Sequence, residues 1–283
     1  MCDKIIPVKQ LDISVIVPFK DKAKMTLVAV NSLLKYGPRV KEIFLVSNNS
    51  SSQELEAVKA GIANIENASV IEYDHPFNYQ KINNWAVSKT SGKFILFLNN
   101  DTELTKEARG LLEKMYQKAS EPNVGITGCL LLYGDRKVIQ HAGVFLLPRG
   151  MADHLYVGHK LSRVLQQGGK NDKYPYSVTE DRPMTAVTGA VNIIERAKFD
   201  KVGGFNEKFI IGGGDVDLCI RLNKAGFQTW FVSGGWIVHK ESQSRSHKPI
   251  TYNDFYYSYL SYVQGYDSKV GDPFLPRITQ GIA

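Results

Sequence analysis

Three short segments concentrate side chains able to do chemistry. Residues 94–103 (FILFLNNDTE) place polar and acidic groups at the end of an apolar run. A carboxylate at such a tip can hold a hard divalent cation through oxygen, and the cation can bridge a diphosphate. Asp101 is the leading candidate ligand and Glu103 a second. The plainer alternative is that Asn99 to Thr102 only cap the following helix. The second segment comprises residues 203–207 (GGFNE) and 212–221 (GGGDVDLCIR). Glycines before an acidic pair give a tightly turned loop running into a helix, whose positive end favours the carboxylate of Asp215. Asp217, two residues on, cannot share that helix face. The uncharged neighbours Ile210, Ile211 and Leu218 make Asp215 a candidate base in a cleft, against the alternative of a capping Asp beside a surface Asp. The third segment is 236–245 (WIVHKESQSR). His239 after an apolar strand can ligate a metal or serve as a structural histidine, and Lys240, Arg245 and Lys248 are placed to neutralise phosphate. Gln140-His141-Ala142-Gly143 and Thr188-Gly189-Ala190 suit either close approach of a sugar or phosphate to the backbone or simple turns.

The chemistry these groups can do is bounded by what is missing. No Gly-rich phosphate loop ending in Gly-Lys-Ser/Thr occurs, no Gly-x-Gly-x-x-Gly follows the first strand, and no Gly-x-Ser-x-Gly elbow is present. P-loop nucleotide hydrolysis, dinucleotide dehydrogenation and serine-elbow hydrolysis are therefore not expected. A sugar-phosphate nucleotidyltransferase ranks low, because residues 17–21 (VPFKD) contain no glycine. The net charge of +7 is spread without a block of five like charges, which suits an anionic partner, be it nucleic acid, anionic lipid or a phosphorylated substrate, and singles out none of them; no nucleic-acid partner is expected. Cys2, Cys129 and Cys219 are odd in number and scattered, which excludes a disulfide framework and fits a reducing compartment. No cationic start leads into an apolar stretch, and no apolar run approaches a membrane span, so neither a secretory leader nor a spanning helix is expected.

Regular elements must position these groups. Apolar runs at 13–17, 43–46, 69–73 and 94–98 read as strands. They alternate with helical patterns at 22–36, 53–60, 80–89 and 105–118. Such alternation implies a parallel sheet covered on both faces, with ligands beyond the carboxyl ends of the strands. Residues 19–21, 47–49 and 99–101 all follow strands and should face one crevice. After Gly125 the alternation breaks, and residues 133–185 read as irregular structure over a site. A helix at 216–225 and a strand near 229–232 follow. Residues 1–245 read as one domain, with a nucleotide-binding half to about 130 and an acceptor-binding half at 131–245. In the tail, 246–283, residues Tyr252, Phe255, Tyr256, Tyr259, Tyr262, Val263 and Tyr266 recur at helical spacing. The favoured reading is a helix docking its aromatic face on the domain; the alternative is a contact with a membrane surface or another protein.

Taken in order, residues 15–19, 46–50, 77–78 with 82–84, 96–103, 140–143, 187–190, 202–207, 215–219 and 239 with 241–242 resemble the inverting, nucleotide-sugar-dependent glycosyltransferases of family 2, most closely the bacterial branch building O-antigens, capsules and rhamnose-rich glycans. The resemblance runs from about Ile13 to Arg245. It implies the GT-A fold, an α/β, Rossmann-like architecture with a mostly parallel central sheet flanked by helices. It implies a nucleoside-diphosphate sugar donor, dTDP-rhamnose or a UDP-hexose, and a glycan or lipid-linked oligosaccharide acceptor. By the same resemblance Pro18, Phe19, Ser47 and Asn49 line the base and ribose pocket, and Asn78, Asn83, Asn99 and Asn100 help hold the nucleotide. Asp101 and His239 bind Mn²⁺ or Mg²⁺, and Asp215 is the general base. His141, Thr188, Gly189 and Asp217 meet the acceptor. Asn99-x-Asp101 carries one carboxylate fewer than the family's Asp-x-Asp, which motivates the alternative of a catalytically inactive sugar-nucleotide-binding partner in a synthase complex. The implied location is the cytoplasm, at the inner face of the plasma membrane.

Overall fold

The computed structural model describes residues 10–170, 176–240, 251–265 and 271–275. The expected alternation is present: β1 (Leu11–Phe19), α1 (Ala23–Tyr36), β2 (Val40–Ser47), α2 (Ser52–Ile62), β3 (Ala68–Glu72), α3 (Tyr79–Val87) and β4 (Phe94–Leu98). β1 lies between β2 and β4, parallel to both, and β3 continues the sheet beyond β2. Every residue of β4 is buried. Its successive side chains leave by opposite faces, as the two-residue repeat of a strand requires. Leu96 and Leu98 join one core with Val15, Val17 and Leu112, whereas Ile95 and Phe97 join a second with Ile82, Phe199 and Phe205.

The chain after β4 corrects the expectation of one helix over 105–118. It forms β5 (Thr102–Leu104), a 3-10 turn (Lys106–Ala108) and only then α4 (Leu111–Ala119). Gly110, at φ +78, sits ahead of α4 in a left-handed conformation that breaks the helix there. The remaining elements are β6 (Val124–Leu132), β7 (Ile139–His141), β8 (Val144–Leu147), β9 (Met151–His154), α5 (Leu161–Gln166), β10 (Arg182–Met184), β11 (Val191–Glu195), α6 (Arg196–Lys201), α7 (Gly214–Lys224), β12 (Gln228–His239) and α8 (Tyr252–Gly265). Residues 133–185 are thus less irregular than expected, built from strands of three or four residues too short to show periodicity. The sheet order is β10-β12-β6-β11-β4-β1-β2-β3. β11 runs antiparallel to both β4 and β6 and so joins two parallel blocks. β5 pairs with the end of β12, setting His239 opposite Thr102 and bringing two distant segments to one corner.

The tail helix forms as expected but presents the other face. Tyr252, Phe255, Tyr256, Tyr259 and Val263 are exposed, and of the aromatic set in the described part of α8 only Tyr262 is buried. Docking is carried by polar groups. The buried Asp254 carboxylate accepts the backbone N–H of Ile210 (2.5 Å) and Ile211 (3.2 Å). Ser261 donates to Asp217 Oδ1 at 2.7 Å, and Tyr262 donates to the Gly213 carbonyl at 3.0 Å. Gly150 lets the helix approach: at φ +71 it lies so close that a β-carbon there would stand 2.7 Å from Tyr259 Cα. Tyr266, the last residue of the expected aromatic series, lies outside the described residues.

Candidate active site

Asp101 lies at the corner formed by β4, β5 and β12 and is 3% exposed. Its Oδ1 is 3.1 Å from His239 Nε2, yet it receives no hydrogen bond from the described residues. The reason is the tautomer of the histidine. Gln140 Oε1 lies 2.6 Å from His239 Nδ1, while Gln140 Nε2 donates to the His239 carbonyl at 3.4 Å. The second bond fixes which end of the amide is oxygen, so Nδ1 must carry the proton. Nε2 then faces Asp101 as a lone pair, which accepts the Asn99 amide N–H at 3.4 Å. Two acceptors at 3.1 Å with no proton between them repel unless a cation joins them. Adjacent ligands of an octahedral ion with bonds of about 2.1 Å stand roughly 3.0 Å apart, so the pair fits a hard divalent cation. Among the described residues no group of three or more His, Cys, Asp or Glu converges.

Two expectations for this corner are corrected. Glu103 points away into ion pairs with Arg136 (2.7 Å) and Lys240 (3.0 Å). Burial would raise its pKa, but the Lys240 hydrogen bond and both positive charges outweigh it and hold the carboxyl below its usual range. Lys240 is therefore committed to Glu103 rather than offered to phosphate. Arg245 and Lys248 lie outside the described residues.

Asp215 sits in the first turn of α7, and Gly213 ahead of it takes φ +87 to make the turn. Asp215 Oδ2 accepts the Gly189 N–H at 2.7 Å and Oδ1 accepts the Val216 N–H at 2.9 Å. These bonds fix the carboxylate and leave further lone pairs for an incoming hydroxyl. Gly189 is needed small, since a β-carbon there would lie 3.3 Å from Asp215 Cβ. The Gly189 carbonyl in turn meets the Tyr79 hydroxyl at 3.1 Å, and the same hydroxyl meets Asn99 Oδ1 at 3.0 Å. A continuous polar chain therefore runs from Asp215 through Gly189, Tyr79 and Asn99 to His239 and Asp101. A cavity of about 470 Å³ is lined by Asp215, Gly189, Thr188, Tyr79, Asn99 and His239 together.

Other expected residues fall elsewhere. Pro18 pairs in register with Val46 and Phe19 with Ser47, at the carboxyl ends of β1 and β2. The Phe19 side chain is packed in the core, so the rim it was expected to offer is backbone only. Asn49 is exposed at φ +54, with its amide donating to the His75 carbonyl. Asn78 caps α3 by accepting from Lys81 N–H and reaches the Glu207 carbonyl. Asn83 donates to the Tyr79 carbonyl, and Asn100 donates to Thr26. These amides are engaged in the packing of α3 and α1, and Asn83 Oδ1 is left without a partner among the described residues. Asp217 is buried between Arg221 (2.7 Å) and Ser261 (2.7 Å) and does not line the cavity. His141 is fully buried as well. Its Nε2 accepts the Gly143 and Thr188 N–H groups, and its Nδ1 stands 2.8 Å from His154 Nδ1. Burial, then the neighbouring charges of His154, Arg182 and His239, push its pKa well below the usual histidine value. His154, not His141, lines the cavity. Tyr79 and His154 escaped sequence reasoning, and Gln140 was marked only as part of the 140–143 segment.

Two family models match the chain. "Glycosyl transferase family 2" covers residues 14–156 and "N-terminal domain of galactosyltransferase" covers residues 175–247. The chain belongs to glycosyl transferase family 2. Among curated proteins of this kind, the chain is 38% identical over 272 residues to the O-antigen biosynthesis protein RfbC of Myxococcus xanthus, which covers 94% of this chain and 20% of RfbC. The chain spans only a fifth to a quarter of the length of the first two curated relatives it matches. Among solved structures it is similar to the mannosyltransferase PcManGT of Pyrobaculum calidifontis in complex with GDP-Man and Mn²⁺ (TM-score 0.60, 15% identity, 85% of this chain and 60% of that one). It is also similar to GalNAc-T7 with UDP, GalNAc and Mn²⁺ (TM-score 0.67, 16% identity, 90% and 48%). The fold of this family 2 chain is the GT-A fold. Among the described residues no helix is long and apolar enough to cross a membrane.

Proposed function

We propose that the chain is a metal-dependent, inverting glycosyltransferase. It moves a sugar from a nucleoside-diphosphate donor, dTDP-rhamnose or a UDP-hexose, to a glycan or lipid-linked acceptor of a bacterial surface polysaccharide, at the cytoplasmic face of the membrane. The observation carrying this reading is the single cavity that holds Asp215 at one wall and His239, paired with the orphaned Asp101 oxygen, at the other. The similarity to an O-antigen biosynthesis protein supports the substrate class, and Phe255, exposed on α8, lines the same cavity, as a lipid-linked acceptor would call for.

The chemistry follows from the two walls. Asp215 accepts the proton of the acceptor hydroxyl as that oxygen attacks the anomeric carbon. The bond from that carbon to the diphosphate oxygen breaks in the same in-line displacement, which inverts the centre and calls for no protein nucleophile. Asp101 and His239 would hold Mn²⁺ or Mg²⁺, whose positive charge would offset that of the departing diphosphate. Tyr79 and Asn99 keep the two walls in fixed relation. The test is a thermal-shift screen of nucleoside diphosphates and their sugars with and without Mn²⁺, followed by product analysis with the best donor. A metal-dependent stabilisation and transfer to a glycan acceptor are expected; nucleotide binding with neither transfer nor donor hydrolysis would turn the assignment to the inactive partner.

A further inference from the structure

We infer that Gln140 is a positioning residue for the cation: it fixes the His239 tautomer so that Nε2, rather than Nδ1, is the unprotonated nitrogen offered as ligand. The inference rests on the reading of Asp101 and His239 as a cation pair and extends it to a residue outside that pair. Gln140 comes from β7, a three-residue strand paired to β6, whereas His239 ends β12 on the other side of β6. The amide grips the histidine twice, accepting from Nδ1 at 2.6 Å and donating to the carbonyl at 3.4 Å. Gln140 is buried, 7% exposed, so the ring hydrogen bond is not lost to solvent.

The physical need is specific. A neutral imidazole has one lone pair to offer, and the proton on the other nitrogen must be held elsewhere. A histidine ligand gains basicity and orientation from an acceptor on its remote nitrogen. Without Gln140 the proton can sit on Nε2, where it would donate to Asp101 Oδ1 at 3.1 Å. That arrangement satisfies both groups and excludes the ion. Gln140 thus opposes the metal-free hydrogen bond as well as supporting the ligand. Its amide is engaged by His239, so it acts through the histidine.

The test reads Mn²⁺ alone, by electron paramagnetic resonance of the free ion during titration of the whole chain. Gln140→Leu, which keeps bulk and removes the acceptor, is expected to weaken Mn²⁺ binding by ~10–100-fold, the usual effect of losing a partner behind a metal-bound histidine. Gln140→Glu keeps an acceptor for Nδ1 and is expected to stay close to the unsubstituted protein. Long-range ¹H–¹⁵N spectra of the histidine rings, assigned with His239→Ala, should show the Nδ1–H form in the parent and the Nε2–H form in Gln140→Leu. Equal Mn²⁺ affinity in Gln140→Leu and the parent would overturn the inference, as would a Gln140→Glu variant as weak as Gln140→Leu. Should Asp101→Asn and His239→Ala also bind Mn²⁺ like the parent, the cation pair itself is wrong, and the inference falls with it.

Discussion

The Tyr79 hydroxyl stands 3.0 Å from Asn99 Oδ1 and 3.1 Å from the Gly189 carbonyl, so one phenol joins the tip of β4 to the backbone that orients Asp215. Tyr79 opens α3, and the capping of that helix by Asn78 decides where the phenol points. A capping amide and a catalytic distance are thus linked through one helix end.

Removing that phenol oxygen should loosen the site without unfolding it. Tyr79→Phe is expected to lower kcat/KM for transfer about three- to tenfold, the net worth of a hydrogen bond of this kind. The melting temperature should barely move. Unchanged kinetics would show that the two walls hold their spacing without it.

Asp215→Asn keeps the shape and one of the two backbone contacts while removing the base. Transfer should fall by about 10²–10⁴, with donor binding retained in calorimetry. Turnover near that of the parent would take Asp215 out of the proton-accepting role.

Chelation should stop transfer, and Mn²⁺ or Mg²⁺ should restore it. Asp101→Asn keeps the volume but halves the donor set on the protein side, so activity should need far more Mn²⁺ than in the parent. Transfer that survives EDTA unchanged would mean that the leaving group is stabilised by other means.

His141 gives a stability test that is independent of activity. Burial holds its folded pKa well below the usual 6.5, so the unfolded chain takes up a proton that the folded chain refuses. Stability is therefore fully present above about pH 6.5 and is lost as pH falls towards the folded value, with a limiting slope of about 1.4 kcal/mol per pH unit. His141→Asn, whose amide can still donate towards His154, should be less stable at pH 7.5 and should lose this part of the acid sensitivity. Urea unfolding at pH 7.5 and 5.5 measures both. Equal pH dependence in the two proteins would refute the buried neutral state.

How far the sequence could be read differs by region. The strands at 13–17 and 94–98 were legible because buried parallel strands are continuous apolar runs, and their tips then fixed where Asp101 would lie. The helix pattern at 105–118 misled because apolar spacing persists through residues 102–110, although Gly110 and the pairing of β5 with β12 impose an extended path. The tail was legible as a helix but not in its orientation. Aromatic residues ordinarily face a core, yet here Asp254, Ser261 and Tyr262 find buried partners, and no spacing rule reveals partners so far away in the chain. Asn78, Asn83 and Asn100 look like ligand contacts in sequence because capping and binding call for the same amide. His141 was likewise singled out one position from Gln140, the residue that grips His239.

Asp254 offers a direct measure of the tail's hold. Asp254→Ala leaves the Ile210 and Ile211 N–H groups without their acceptor and should cost about 2–3 kcal/mol in chemical unfolding, since bonds to a charged group carry most weight. Asp254→Asn should cost less. Equal stability of all three proteins would mean that α8 is held by its other contacts.

The strap that α8 lays over residues 210–217 reaches across 44 to 49 positions of chain. A fragment trimmed just after His239, where the last recognisable motif begins, would keep every residue proposed for chemistry and still release the loop that aims Asp215. The smallest unit able to carry out the proposed transfer should therefore be set by a belt fastened from downstream: shortening from the carboxyl end should abolish turnover well before any proposed reacting group is cut away.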